Sequence, residues 1–441
     1  VFQKFIMWIF RLFNIHSQTT QKEVEDNQKY AVEYERIDKV NFNAIFSNRI
    51  ANYVINDSDL TLIGENQRKE LLEKTIQSLW KKMKKYTAMS LGYGGIVLVP
   101  YVKGGKIFYN VVSQNRLTID ETEGENITGA TIIADKKTIN KGIGNSKTYY
   151  RLTNYRVKNG NITITQKFTD EFGKPVPTPD FWRNIQEVQV ISGVDRALFG
   201  YIKSPINNRK ADDKYGVPIT YGCDETISKI RATLKQIDRE YNLKEAFVGA
   251  DSTMFDGKDG LPSNGLFKKV DAGDDTFWEV FSPEIRDTAL YNKLDRQFAQ
   301  LEKEVGTSEG ILTKPTSTYQ NIDEAKRAIQ DTMSIIDDVR SNIEKGLEDF
   351  LYSANVLANA YNLSANGEYE TSYDWSYYFI ESTMDTWNQL IVGQSKGAVK
   401  TEEIRQFIFP TESEEARKKA IEEIKASEPT VDDLMPNNAE E

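Results

Sequence analysis

Two residue types able to capture a metal or act as nucleophile occur once each, as His16 and Cys223. A single histidine and a single cysteine cannot supply a Cys/His zinc site or a disulfide framework. A histidine-dependent triad would have only His16 to use. Carboxylates are plentiful, with 66 Asp+Glu against 56 Lys+Arg, and the adjacent pairs Asp212-Asp213, Asp274-Asp275 and Asp337-Asp338 are the candidates for a cation. Neighbours on a helix point about 100° apart, so Asp337 and Asp338 diverge, and the other pairs lie in loop-like sequence without further ligands. Solvated charge is the simpler reading. Gly92, Gly94 and Gly95 lie between a helical pattern and a strand pattern, whereas a phosphate cradle needs a strand, then glycines, then a helix N-terminus. Gly142-Ile143-Gly144-Asn145-Ser146-Lys147 lacks the phosphate-loop spacing and a following helix. No catalytic constellation emerges, so neither an enzyme nor a cofactor is expected.

These residues sit in a chain of 441 residues, 39% hydrophobic and 28% charged, with a formal net charge of -10. That length suits one large or several smaller folded units. A negative balance disfavours a protein whose main task is to grip nucleic acid phosphates, while leaving room for local basic surfaces. One such run, Lys81, Lys82, Lys84 and Lys85, flanks an apolar stripe and reads first as a solvated helix face. No run reaches the roughly 20 apolar residues that span a bilayer. In Val1 to Ile15, the residues Phe2, Phe5, Ile6, Ile9, Phe10 and Phe13 recur at helical spacing, which fits an amphipathic segment docked on a partner, on a membrane surface or on its own protein. No small-residue cleavage site follows, which argues against secretion.

The spacing predicts a helix over Asn43 to Ile55 and a stronger one over Glu65 to Leu91, where Leu72, Ile76, Leu79, Trp80 and Met83 form one stripe. From Gly92 to Asp170 the segments GIVLVPYV, KIFYNVV, ITGATIIA, KTYYRLTNYRV and NITITQKFT read as strands of an antiparallel sheet. Asn159-Gly160 suits a tight hairpin. With helices packed on that sheet the class is α+β. Further on, Asp224 opens a helix with Ile227, Ile230, Leu234, Ile237 and Tyr241 on one stripe, extending to about Val248. Ser282, Pro283 and Glu284 open a second, with Leu290, Leu294, Phe298, Leu301 and Val305, stopped by Gly306. The two should run antiparallel around a small insertion, and stripes this narrow suggest helices lined up in an assembly. Thr307 to Tyr319 reads as a loop because of Gly310 and Pro315. A very long helix follows, from about Ile322 to Tyr361, roughly 60 Å at ~1.5 Å per residue, with a bend expected at Gly346. After a strand-like stretch come helices over Thr383 to Gly393, Thr401 to Phe409 and Thr411 to Ala426, the last with a Thr411/Glu414 capping box. An acidic tail closes the chain.

Three features together resemble the portal proteins of tailed double-stranded DNA bacteriophages. The first is Ala88-Met-Ser-Leu-Gly-Tyr-Gly-Gly-Ile-Val-Leu-Val-Pro-Tyr, continuing through Gly104-Gly105-Lys106-Ile107. The second is Ser204-Pro205-Ile206-Asn207-Asn208 followed by Tyr215-Gly216-Val217-Pro218-Ile219 and the helix from Asp224. The third is the order helix, small insertion, helix, loop, very long helix and terminal helices, which covers nearly the whole chain. Members often begin the long helix with a Thr-Ala-Thr-Glu-like run, and here the region reads Tyr319-Gln320-Asn321-Ile322-Asp323-Glu324-Ala325.

The resemblance implies a portal-like subunit. Residues 1-222 would form an N-terminal segment and α/β wing, and 223-248 and 283-305 the two stem helices. Residues 249-282 would be a small α/β clip, 306-320 a tunnel loop, 321-382 the long wing helix with a returning strand, 383-426 a helical crown and 427-441 a disordered tail. It further implies a ring of about twelve copies, located in the virion at one capsid vertex after assembly in the host cytoplasm. The ring would pass double-stranded DNA without regard to sequence and dock the terminase large subunit, a head-tail adaptor, and the major capsid and scaffolding proteins. Thr313, Lys314, Thr316, Ser317 and Thr318 would face the channel. Lys229, Arg231, Lys235, Arg239, Lys293 and Arg296 would lie on the stem, Leu234, Ile237, Leu294 and Phe298 at subunit contacts, and Lys258, Lys268, Lys269 and Trp278 on the docking surface of the clip. Two rival readings are a membrane-surface scaffold anchored by Val1 to Phe13 and a nucleotide- or metal-dependent hydrolase.

Overall fold

The computed structural model describes residues 27–140, 146–209, 214–242, 247–251, 267–270, 278–281, 286–313, 330–376, 390–408 and 414–426. Val1 to Ile15, His16, Gly142 to Asn145, Asp212, Asp213, Lys258, Asp274, Asp275, Lys314, Thr316, Ser317, Thr318, Thr411 and the tail lie outside them. The fold is α+β, with both helices and sheets among the described residues. Two compact units divide at Trp375/Ser376, earlier than the expected crown boundary at residue 383.

In the first unit, local chemistry sets the helix starts. Asn41 accepts a hydrogen bond from the Ala44 amide at 3.0 Å and so caps Phe42–Ile55, and Asn66 does the same for Gln67–Trp80 through Lys69, each satisfying an otherwise orphaned donor. The stripe expected to run unbroken from Glu65 to Leu91 is split at Lys81-Lys82 into Gln67–Trp80 and Met83–Tyr93. The break lets each half face a different neighbour. Trp80 lies against Tyr373 and Trp375, whereas Met83–Tyr93 packs on Phe42–Ile55.

The strands form separate sheets where one was expected. A three-stranded sheet has the order β3-β2-β9, with β2 Gly95–Lys103, β3 Lys106–Ser113 and β9 Gly200–Lys203. A five-stranded sheet runs β4 Leu117–Glu123, β5 Asn126–Asn140, β6 Ser146–Lys158, β7 Asn161–Asp170, β8 Val188–Ser192, all antiparallel. The Asn159-Gly160 turn is as expected, with φ of 51° and 72° closing the Lys158 and Asn161 pair. β1 Asp59–Ile63 pairs with β13 Glu370–Asp374 across most of the sequence. Val97, Val112, Ile119, Ile132, Tyr155 and Phe199 bring the two larger sheets into one core.

The long helix is described over Gln330–Ala360 and runs through Gly346 as one element. Gly346 is needed for close approach: a Cβ there would lie 2.5 Å from Ile202 Cγ1, and one at Gly200 would lie 2.1 Å from the Gly346 carbonyl oxygen. The helix and β9 therefore touch backbone to backbone. At the C-terminal end of this unit, Trp375 donates its indole N–H to Glu344 at 2.6 Å, carries the Arg340 guanidinium 5.1 Å from its ring centre, and stacks within 4° of parallel on Tyr373.

The second unit contains a helical stretch at 390–395 and the helices Thr401–Ile408 and Glu414–Ala426. The latter two pack together, with Ile404 and Ile421 buried.

Candidate functional site

Residues from both sequence stretches that carry the family resemblance meet at one junction, with Gly104-Gly105-Lys106-Ile107 apart from it at the tip of the β2–β3 hairpin. Gly94, with φ of 86°, ends Met83–Tyr93 in the left-handed region that glycine tolerates best. Its carbonyl accepts from the Ser204 amide at 3.0 Å, and Leu91 accepts from Ile219 at 2.9 Å. A Cβ on Gly216 would lie 2.0 Å from the Gly94 oxygen. Gln114, fully buried, locks the crossing: its amide nitrogen donates to Gly216 and Asn27, and its oxygen accepts from Gly216 and from the Tyr201 hydroxyl. Asn208 donates to the Tyr215 carbonyl, and the Tyr215 hydroxyl accepts from Ile119. The motifs are thus a structural staple between helix end, strands and the segment leading to Asp224.

From that staple the chain enters Asp224–Asn242, shorter than the expected 223-248. Phe247 and Val248 keep an apolar pattern but sit in a strand, β10 Phe247–Asp251. The returning helix is Asp287–Val305 with Arg286 at the N-cap, so it starts later than Ser282-Pro283 predicts. Between them, β10 lies at the centre of a sheet with β11 Phe267–Val270 parallel to it and β12 Trp278–Phe281 antiparallel. Lys268 and Lys269 fall on the edge strand β11, and Trp278 begins the other edge strand.

The two helices pack on each other, which corrects the expected use of their stripes. Ile237 and Leu294, assigned to subunit contacts, are buried within the chain. Leu234 is half-buried, as is Phe298, whose ring lies 6.2 Å from that of Phe42. A narrow stripe suffices because the partner helix and Phe42–Ile55 supply the rest of the core. Among the stem cations, Lys229 pairs with Glu225 at 2.6 Å and Arg231 with Glu33 at 2.7 Å. Lys235, Arg239, Lys293 and Arg296 are exposed and make no ion pair with a described residue.

The loop after the second helix opens on Gly306, with φ of 83°. Its first turn is tied down by Glu302, which is fully buried. The Glu302 carboxylate accepts from the Leu312 amide at 2.5 Å, the Thr313 amide at 3.3 Å and the Thr313 hydroxyl at 2.8 Å. Its backbone carbonyl takes the Thr307 amide, and Ser308 donates to the Thr332 hydroxyl. Thr313, a channel candidate, therefore spends its hydroxyl on Glu302. Sequence reasoning missed this anchor because a Glu among Lys and Glu on a helix carries no signal of burial.

Other places where chemistry might gather are occupied by structure. Burial, reinforced by Glu304 and Asp224, pushes the Cys223 thiol up to about 12, so it stays protonated. A cleft of about 920 Å³ between the β4–β5 hairpin, the 196–207 segment and the long helix holds the ion pairs Arg196–Asp349, at 2.8 Å, and Lys345–Glu125. Asp120 is raised to about 6 by burial, against the pull of Arg156. Among the described residues there is no cluster of three His, Cys, Asp or Glu able to hold a metal, and no helix long and apolar enough to cross a membrane.

No family model and no curated protein matches the chain. Among solved structures, 57 chains match. One of them is described as "Neck of native GTA particle computed with C12 symmetry", at a TM-score of 0.38 and 11% identity over 83% of this chain and 89% of that chain. At that distance the likeness bears no functional argument, and the chain's own elements must supply it.

Proposed function

We propose that the protein is a non-enzymatic portal subunit of a tailed double-stranded DNA phage, a ring-forming conduit for DNA. The observation that supports this most is a single continuous arrangement. Two mutually packed helices of 19 residues bracket a three-stranded sheet, and an anchored loop then leads to a helix of at least 31 residues. A helix pair held by its own apolar seam presents polar outer faces, and in a ring these meet the neighbouring copies. There Lys235, Arg239, Lys293 and Arg296 alternate with Asp238 and Asp295, and pairing between copies gives them partners. The sheet at the far end of the pair would dock the terminase large subunit and the head-tail adaptor. The wing would meet the capsid and scaffolding proteins.

Mass photometry and negative-stain imaging of the purified full chain test the reading. Closed rings of about twelve copies are expected. A particle that remains monomeric at every concentration and salt, with scaffolding and capsid proteins present, overturns it.

A further inference from the structure

Between Lys74 and Ile119 the chain has no carboxylate and eight basic residues, inside a protein of net charge -10. The fold concentrates them. Lys74, Lys81, Lys82, Lys84 and Lys85 are exposed along Gln67–Trp80 and the start of Met83–Tyr93, and Lys103 and Lys106 are exposed at the tip of the β2–β3 hairpin. That hairpin is bonded lengthwise to the helix: the Thr75 hydroxyl donates to the Ile107 carbonyl at 3.0 Å, and the Tyr109 hydroxyl donates to the Ser78 carbonyl at 3.1 Å. Lys74 and Lys106 thus neighbour one contact, and the Lys81 to Lys85 group follows within about two helical turns. None of the seven ammonium groups bonds to a described acidic residue, and the nearby Glu73 is taken by Lys69 at 2.7 Å.

Local stability does not account for this placement. Lys82, Lys84 and Lys85 stand at the cap and first turn of Met83–Tyr93, which has no acidic residue there, and cations are disfavoured at the positive end of a helix. Nor does the surface suit a protein partner. From Gln67 to Tyr93 no large apolar side chain is exposed, and the hairpin adds only the mutually stacked Tyr101 and Phe108, fewer anchors than the clusters that dominate protein interfaces. A row of lysines without arginine forks fits a regular line of phosphates, whose affinity comes from released counterions.

We infer that this lysine strip is a sequence-independent binding surface for the phosphate backbone of double-stranded DNA. It does not rest on the ring, because all seven lysines belong to one chain. It also lies apart from the loop and stem residues assigned to the channel above.

The test is fluorescence anisotropy of the full chain with a duplex of about 30 base pairs and mixed sequence, over a salt series. Binding at low salt is expected, with log affinity falling against log salt at a slope of roughly -3 to -4 if about four lysines engage at once. The Lys81→Gln, Lys82→Gln, Lys84→Gln, Lys85→Gln quadruple variant should bind at least tenfold more weakly with a flatter slope, while Lys174→Gln, an exposed lysine away from the strip, behaves as the parent. Amine acylation mapped by mass spectrometry on the unmodified chain should show DNA protecting Lys81, Lys82, Lys84 and Lys85, a readout independent of variant folding. Equal affinity and slope for the quadruple variant, or no protection, overturns the inference. So does poly-glutamate competing as well as DNA at equal charge, which would assign the strip to an acidic protein segment. Rings that fail to bind DNA refute the strip alone, and DNA-binding monomers refute the ring alone.

Discussion

Arg68 is fully buried and has no carboxylate beside it. Its guanidinium donates instead to Asn355, Asn359 and Ser364, five bonds that hold the end of the long helix and the loop after it. Arg68→Met would leave several buried acceptors without donors, each costing about 1–3 kcal/mol. A loss of about 3 kcal/mol or more is expected in urea denaturation, and a loss under about 1 kcal/mol would show that the bonds contribute little. Asp120 makes the opposite case. Its folded pKa of about 6 lies above the ordinary carboxyl value of 3.8, so its neutral form is favoured by folding. That stabilisation is complete below about pH 4 and is lost as pH rises through about 6. Arg156, Glu121, Lys214 and the Thr131 hydroxyl face it. Asp120→Asn should therefore gain about 1–2 kcal/mol on the parent at pH 8 and nothing at pH 4, as read from paired denaturation curves. Neither burial was read from the sequence, because burial of a polar residue depends on what packs over it: Arg68 lies four residues before Leu72 on the stripe continued by Ile76 and Leu79, but a charged residue at the start of a helix reads by default as solvated.

Elements were read more reliably than their partners. Helical stripes, β-branched strands and the Asn159-Gly160 turn all show in local spacing; the turn forms where expected, whereas the Glu65 to Leu91 stripe is split in two and the helix pair is shorter than expected. Splitting the strands into two larger sheets could not be read, since β9 joins β2 across about a hundred residues and β13 joins β1 across three hundred. The glycine of the long helix was read as a bend because propensity is a local rule, whereas its role is contact. Gly200→Ala should separate helix and strand and cost about 1–3 kcal/mol by overpacking, seen as a lowered denaturation midpoint. An unchanged midpoint would mean the contact is looser than 2.1 Å implies. The loop anchor is tested without touching the loop: Glu302→Leu keeps most of the volume but removes the oxygen that accepts from the Leu312 and Thr313 amides. Hydrogen exchange at those two amides should speed up by about tenfold or more, with helix amides elsewhere unaffected.

At the scale of the whole molecule, charge is segregated: a carboxylate-free stretch lies inside an acidic chain. Under the proposed reading, such a charge distribution would repel DNA from most of the surface and hold it weakly at one place, which suits passage better than capture. Purified protein should hydrolyse no ATP, measured by phosphate release. Turnover abolished by one carboxylate substitution would replace the conduit reading with a hydrolase. The proposed function was approached in the sequence through the order of elements, and its site was not, because the motif residues around Gly94 and Gly216 form a staple rather than a working surface. The clamp on Trp375 also makes the molecule its own optical gauge. Trp375 and Trp80 are 5.6 Å apart, and Tyr373 lies parallel beside Trp375. Coupled transitions of rings this close give a near-ultraviolet dichroism signal that depends on their mutual angle. Because these rings come from a helix, a strand and the last residue of the first unit, any strain transmitted along the chain at that point would be visible in the spectrum without an attached label.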